Sequence, residues 1–186
     1  DPAYGFVDYK IHFTFLSDGM LNAKLIIDNR VYSHRLRLQI KSTIHTQDAI
    51  AHIQDGFVKT TNHVINKDWE KEFVEKPVNI YNFDKTVTIT DGGKYLTFFG
   101  KGLKEYEFKD DKLFITLMAT TSQLGKRNLA WRPGRASGDT TNQGHVMMAT
   151  PMAEELGLNE FEFGIVFDDK TFSEQKISEQ TRNWLS

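Results

Sequence analysis

"VDYKIHFTFLSDGMLNAKLII", residues 7 to 27, alternates apolar with polar or smaller side chains on both sides of Asp18-Gly19. Apolar residues recur at every second position, which is the period of a β-strand with one buried face. Asp-Gly between two such runs is a strong hairpin signal, because glycine readily adopts the positive φ of a tight turn. The stretch therefore predicts two antiparallel strands, and their inward-facing residues are Val7, Tyr9, Ile11, Phe13 and Phe15 on the first and Leu21, Ala23, Leu25 and Ile27 on the second.

The same period of two recurs along most of the chain. It is found in "SHRLRLQI" (33–40), in "KTVTITDGGKYLTFFG" (85–100), in "KEYEFKDDKLFITLM" (104–118) and in "NEFEFGIVF" (159–167). One-sided alternation with tight turns is typical of antiparallel sheets that bury one face. The sequence therefore predicts an all-β fold, an antiparallel β-sandwich of about eight or more strands.

Only the last sixteen residues, "TFSEQKISEQTRNWLS" (171–186), predict a helix. Thr171 followed by Glu174 matches the capping-box pattern at a helix start. Ile177 and Trp184 are seven residues apart, so they share one helix face. We expect a short C-terminal helix that packs through this face.

Composition limits the classes of protein to which the chain can belong. Its 186 residues suit a single β-sandwich domain spanning 1–186, and 39% hydrophobic content is typical of a folded protein. A net charge of -2 predicts no nucleic-acid partner, and no apolar run approaches the roughly 20 residues of a membrane span. The chain has no cysteine, and "DPAYGFVDYK" at its start lacks signal-peptide features. These observations predict a cytoplasmic protein.

No catalytic constellation is visible in the sequence. The histidines have no metal-binding spacing, and we read Asp110-Asp111 as a hairpin turn and Glu154-Glu155 as a solvated edge. No nucleophile elbow or phosphate-binding loop is present. We therefore expect no catalytic residue, metal site or cofactor in this chain; the histidines are His12, His34, His45, His52, His63 and His145.

Two tryptophans, Trp69 and Trp131, fall outside the clean alternation and near charged residues. A loop tryptophan can stack on the apolar face of a sugar ring, or it can simply cover one end of a sandwich. A free-standing carbohydrate-binding module, with these two residues as its sugar-binding surface, is therefore the alternative function. A β-sandwich for protein–protein contact is a third.

The segment "NLAWRPGRASGDTTNQGHVMMATP" (128–151) is much longer than an ordinary connection of about 4–6 residues. Arg132-Pro133-Gly134-Arg135 within it reads as a tight turn, since proline fixes φ and glycine frees it. Its guanidinium groups could pair with the carboxylate or phosphate of a ligand, or with backbone carbonyls and Asp139. The candidate substrate-contact residues are Trp131, Arg132, Arg135 and Asp139.

Several segments, taken in order, resemble the C-terminal β-sandwich region of glycoside hydrolase family 38, the α-mannosidases, and above all its bacterial branch with mannosylglycerate hydrolases. They are "SHRLRLQI", "GKGLKEYEF" (100–108), "LFITLMATTSQLGKRNLAWRPGRASG" (113–138), Thr150-Pro151 and "TRNWLS" (181–186). The resemblance covers roughly residues 10 to 186. Its most specific part is the Arg-Pro-Gly-Arg turn in register with "GLKEYEF" and Thr-Pro.

The resemblance implies part of a galactose-mutarotase-like supersandwich, excised from a retaining α-mannosidase. In that family the zinc ligands, the nucleophilic aspartate and the acid carboxylate lie in an N-terminal catalytic domain that this chain lacks. The expected partners are that domain and an α-mannoside substrate, whose acidic aglycone would suit Arg132 or Arg135. Loss of the partner would leave an exposed apolar face, so a homo-oligomer is a further expectation.

Overall fold

The computed structural model describes residues 5–73, 75–125 and 147–186. Within these ranges the chain forms thirteen strands, two short 3-10 turns (Trp69–Lys71 and Pro151–Glu154) and one α-helix, α1 (Glu174–Leu185). The strands are β1 (Val7–Phe15), β2 (Leu21–Asn29), β3 (Arg35–Lys41), β4 (Asp48–Ile53), β5 (Gly56–Thr61), β6 (Ile80–Asn82), β7 (Thr86–Thr90), β8 (Tyr95–Gly100), β9 (Glu105–Lys109), β10 (Lys112–Ala119), β11 (Gln123–Leu124), β12 (Met148–Ala149) and β13 (Gly157–Asp168).

The strands form two main sheets and one small ladder. The larger sheet has seven strands in the order β1-β2-β13-β8-β7-β4-β5, and the smaller has four in the order β3-β10-β9-β6. Strands β11 and β12 pair only with each other. Neighbouring strands in the described chain pair antiparallel. The predicted antiparallel β-sandwich with a short C-terminal helix is confirmed.

The main core lies between the two large sheets. The larger sheet contributes alternate residues of β2, β4, β7, β8 and β13, and the smaller contributes residues of β9 and β10. Leu36, Leu38 and Ile40 of β3 pack against this core, as the alternation predicts. Aromatic rings fill its centre, where Phe98 stacks on Phe163 with ring centroids 5.5 Å apart.

Helix α1 covers the opposite face of the seven-stranded sheet. Ile177 is fully buried there, and Trp184 packs against the same cluster, so the predicted helix face is confirmed. The Trp184 indole N–H also donates to Asn22 Oδ1 at 2.8 Å. The predicted cap was wrong: Ser173 caps the helix by accepting from the backbone N–H of Lys176, whereas the Thr171 hydroxyl donates to Gly92 O.

The tight turns form where the sequence predicts them. Gly19 has a φ of 86°, and the backbone N–H of Leu16 donates to Met20 O at 2.8 Å. Asp110 and Asp111 have φ of 52° and 58°, and a turn with positive φ at both central residues matches the right-handed twist of the strands it joins. These turns set the register of their hairpins.

One prediction for β1 was wrong. Tyr9, Phe13 and Phe15 are 73%, 55% and 80% exposed, although they lie on the core-facing side of the sheet. β1 is an edge strand of a seven-stranded sheet, and the facing sheet has only four strands. The facing sheet therefore leaves these rings uncovered, while Val7 and Ile11 pack in part against the core.

Candidate functional site

The predicted substrate-contact residues lie outside the part of the chain that the structure describes. Trp131, Arg132, Arg135 and Asp139 all fall between residues 126 and 146, so their role stays a prediction. The described chain does define how that segment is joined to the sandwich. On its two sides Gln123 pairs with Ala149, and Leu124 with Met148, in the small β11–β12 ladder.

A buried carboxylate fixes the chain next to this ladder. Glu154 is 1% exposed and lies in the 3-10 turn that follows β12. The backbone N–H of Ser33 donates to its Oε2 at 2.6 Å, and the Ser33 hydroxyl donates to its Oε1 at 2.9 Å. The buried Asn29 side chain donates to the carbonyl oxygens of Glu154 and Glu155. These bonds tie the turn after the long segment to the β2–β3 connection.

The hydrogen bonds to Glu154 favour its ionised form. Burial of its carboxyl raises the pKa, but hydrogen bonds from Ser33, Ser122 and Thr120 together lower it further, so the pKa lies below its ordinary value. The prediction that Glu154-Glu155 forms a solvated edge was therefore wrong for Glu154. The sequence offered no sign of this role, because the carboxylate's partner Ser33 lies 121 residues away along the chain.

A groove opens where the edge strands of the two sheets approach each other. β5 ends the larger sheet and β6 ends the smaller one. The Thr60 hydroxyl contacts the Tyr106 hydroxyl, the Tyr81 hydroxyl donates to Thr61 O at 3.0 Å, and the Asn62 amide donates to Phe108 O. Burial raises the pKa of Tyr81, so its hydroxyl remains a donor. These bonds join the β5 end of the larger sheet to β6 and β9 of the smaller one.

The connection between β5 and β6 forms the outer wall of the groove. Asn79 pins it, since its side chain accepts from the backbone N–H of His63 at 3.0 Å and donates to His63 O at 2.9 Å. The cavity below has a volume of about 630 Å³. Its lining mixes apolar, amide and charged side chains, namely Asn62, His63, Ile65, Glu75, Lys76, Pro77, Val78, Asn79, Ile80, Glu107, Phe108 and Lys109.

An adjoining cavity of about 440 Å³ contains Trp69 and shares His63, Ile65 and Pro77 with the first. The 3-10 turn Trp69–Lys71 places the half-buried indole ring at this cavity. Phe73, which is 53% exposed, lies on its wall as well. We call the two cavities together the Trp69 groove. The sequence signalled it only through Trp69, which breaks the strand alternation.

A histidine and an aspartate, His52 and Asp84, lie near each other on β4 and just after β6. His52 Nδ1 is 4.0 Å from Asp84 Oδ2, which is too long for a hydrogen bond. Burial lowers the pKa of His52, and Asp84 instead forms an ion pair with Lys104 at 2.5 Å. The geometry therefore lacks the hydrogen bond that a catalytic acid–base pair requires.

Within residues 5–73, 75–125 and 147–186, no group of three or more His, Asp or Glu side chains is arranged to hold a metal ion. In the same ranges, no helix has the length and apolar character needed to cross a membrane. His145 lies outside these ranges. We assign no reaction step to a metal ion in this chain.

The fold matches segments of much longer known structures. An alpha-mannosidase from Enterococcus faecalis V583 superposes with a TM-score of 0.71 over 95% of this chain, at 24% sequence identity. A protein in the glycosyl hydrolase family 38 from Enterococcus faecalis superposes with a TM-score of 0.61 over 89% of the chain, at 23% identity. This chain spans only 17% and 16% of those two proteins.

No protein-family model matches the chain, and no curated protein matches it. The structural likeness covers most of the chain, and at these identities it establishes the fold. The chain thus has the fold of one segment of these larger proteins.

Proposed function

We propose that this chain is a non-catalytic β-sandwich domain of a family 38 α-mannosidase, and that it supports a catalytic domain located elsewhere in the parent protein. The observation that carries the proposal is the match over 95% of this chain to 17% of an alpha-mannosidase. The ordered motifs in the sequence, from "SHRLRLQI" to "TRNWLS", point independently to the same family.

The exposed face of β1 supports a role inside a larger protein. Tyr9, Phe13 and Phe15 form a row of uncovered aromatic rings on a nine-residue edge strand. Soluble monomers seldom expose contiguous apolar patches beyond a few hundred Å², and bare edge strands tend to associate. We infer that another part of the parent covers this row. In isolation the chain should self-associate in sedimentation experiments. The substitution Phe13→Lys should reduce that association.

The reaction we assign to the parent is hydrolysis of α-mannosides with retention of configuration. In such a mechanism one carboxylate forms a glycosyl-enzyme and another acts as acid and then base. Those carboxylates and the zinc ion would belong to the catalytic domain. We assign Glu154 no part in this reaction, because its two oxygens already accept hydrogen bonds from Ser33.

Hydrolysis of a chromogenic α-mannoside tests the proposal. We expect the 186-residue chain to show no turnover, and the full-length parent to show turnover that a chelator abolishes. NMR of the first-formed product should show the α-anomer. Turnover by the isolated chain, or a parent that cleaves no α-mannoside, would contradict the proposal.

The segment Arg132–Arg135, a turn by sequence prediction only, is our candidate for contact with the substrate. If Arg135 pairs with an acidic aglycone, Arg135→Ala in the full-length parent should raise KM for that substrate roughly ten- to a hundredfold, since such a bond contributes about 1.5–3 kcal/mol. A neutral aryl mannoside is the matched control and should be little affected. Equal losses on both substrates would make Arg135 a structural residue.

A further inference from the structure

We propose that the Trp69 groove binds a neutral pyranose sugar. This site goes beyond the proposed function, because it uses only residues of this chain and needs no catalytic domain. The assignment rests on the size of the groove, its aromatic surface, its rigidity and its balance of charge.

The size of the groove suits a small ligand. Its two cavities, of about 630 and 440 Å³, each lie within the range of roughly 300–1,000 Å³ that is usual for small-molecule sites. Because His63, Ile65 and Pro77 line both, the two cavities lie side by side. A sugar of one to a few rings fits this space.

The aromatic surface suits one face of a sugar ring. A pyranose carries C–H groups on its faces and hydroxyl groups around its rim. Trp69 offers a large flat apolar ring with a donor N–H at its edge, and Phe73 adds a second ring on the same wall. An indole N–H is a hydrogen-bond donor, so it can pair with a ligand hydroxyl.

The groove is held in shape before a ligand arrives. The Asn79 side chain bonds both backbone groups of His63, and the Asn62 amide bonds Phe108 O. Both amide side chains are already hydrogen-bonded to the backbone, and they hold in place the wall of the groove that contains His63. A wall that is already ordered loses little conformational entropy on binding, which favours weak ligands such as single sugars.

The charges in the groove favour a neutral ligand. Glu72, Glu75 and Glu107 line the groove together with Lys76 and Lys109, so acidic and basic side chains nearly balance. Glu107 also forms an ion pair with Arg37. A phosphate or a polycation would meet like charges on at least one side. Sugar hydroxyls both donate and accept, so they can pair with groups of either sign.

Binding can be measured on the isolated chain by NMR titration with methyl α-mannopyranoside, with the methyl glucoside and galactoside in parallel. A ligand of about 13 heavy atoms at ordinary efficiency should bind with a dissociation constant on the order of 1 mM. We expect the Trp69 indole N–H resonance to shift with at least one of the three sugars. Mannose 6-phosphate should bind no more tightly than the neutral mannoside.

Variants locate the site. Trp69→Ala should weaken binding at least about tenfold, because buried tryptophans dominate such contacts, and Trp69→Phe should weaken it less. Tyr32→Ala is the matched control, since Tyr32 is an aromatic residue with 63% exposure that lines neither cavity. If Trp69→Ala does not fold, Trp69→Phe and the indole shift in the unaltered chain decide the question.

Three results would overturn the proposal. The first is no shift of the Trp69 resonance with any of the three sugars at about 50 mM, far above the expected dissociation constant. The second is sugar binding that survives in folded Trp69→Ala at full strength. The third is tighter binding of N-acetyl-phenylalanine amide than of any sugar, which would make the groove a peptide site.

Discussion

A pair of buried threonines allows a sharp test of how the sheet supports its helix. Thr88 on β7 and Thr97 on β8 lie directly opposite each other, and their hydroxyl oxygens are 2.7 Å apart. Both residues are fully buried, on the sheet face that α1 covers. Each hydroxyl therefore depends on the other, since water does not reach the pair.

Changing one threonine to valine keeps the shape but leaves the other hydroxyl buried without its partner. We expect Thr97→Val to lower the free energy of unfolding by about 1–3 kcal/mol, the usual cost of an unsatisfied buried polar group. For a chain of this length that corresponds to a fall in Tm of roughly 2–10 °C. The double variant Thr88→Val/Thr97→Val removes both polar groups and should lie near the unaltered chain.

Urea unfolding followed by circular dichroism measures the four members of this double-mutant cycle. The coupling between the two sites should be about 2–6 kcal/mol, because each single change costs about 1–3 kcal/mol and the double change costs little. The slope of the unfolding free energy against urea should not change. Thr14→Val is the matched control, because Thr14 is an exposed residue of β1. It should change the free energy of unfolding by less than about 0.5 kcal/mol. Single effects that simply add in the double variant would refute the reasoning.

Two further substitutions test the packing and the charge of the sandwich. Glu154→Gln should lower the free energy of unfolding at neutral pH, because the pKa of Glu154 is depressed in the folded chain. The stabilisation by the ionised carboxylate is present above its ordinary pKa of 4.5 and is lost as the pH falls through its pKa in the folded chain. Thermal unfolding from pH 7 to pH 3 should therefore show the two proteins converging in acid, and a gap that stays constant would count against an ionised Glu154. Gly164→Ala places a methyl carbon 2.5 Å from Sδ of buried Met20 and should cost about 1–3 kcal/mol of unfolding free energy. Gly93→Ala, where the nearest atom is 3.7 Å away, is its control and should be close to neutral in the same urea titration.

The hairpins could be predicted from the sequence because their chemistry is local. Asp18-Gly19 and Asp110-Asp111 supply the positive φ that their turns require, and the alternating residues beside them are neighbours in the chain. Because each turn and the two strands it joins are adjacent in the sequence, the pairing of those two strands could be predicted directly. The same holds for the helix face through Ile177 and Trp184.

The exposure of β1 could not be predicted in this way. Alternation tells which side chains share a face, but it does not tell what covers that face. Phe13 and Leu25 both lie on the core-facing side, yet Phe13 is 55% exposed and Leu25 is 5% exposed. The difference comes from the width of the opposing sheet, which depends on strand order across the whole chain.

The Trp69 groove and the Glu154 contacts needed long-range information for the same reason. Asn62 reaches Phe108 across 46 positions, and Ser33 reaches Glu154 across 121. From the neighbouring sequence alone, Asn62 looks like an ordinary loop residue. Glu154 looks like one of two adjacent acidic residues. Only Trp69 gave a signal, since a large aromatic residue outside the strand pattern needs a surface to cover or a ligand to bind.

The strand order separates two surfaces that lack a partner among the residues the structure describes, namely the aromatic row on β1 and the Trp69 groove. β1 and β5 are the opposite edges of the seven-stranded sheet, so six strand spacings of about 4.8 Å place them roughly 29 Å apart. The uncovered aromatic row lies on β1, whereas the Trp69 groove lies beyond the end of β5. If the parent protein packs against β1, the groove stays open on the far edge. A sugar bound there would then be a second sugar, held away from the one that the catalytic domain cleaves, and the two proposals can succeed or fail independently.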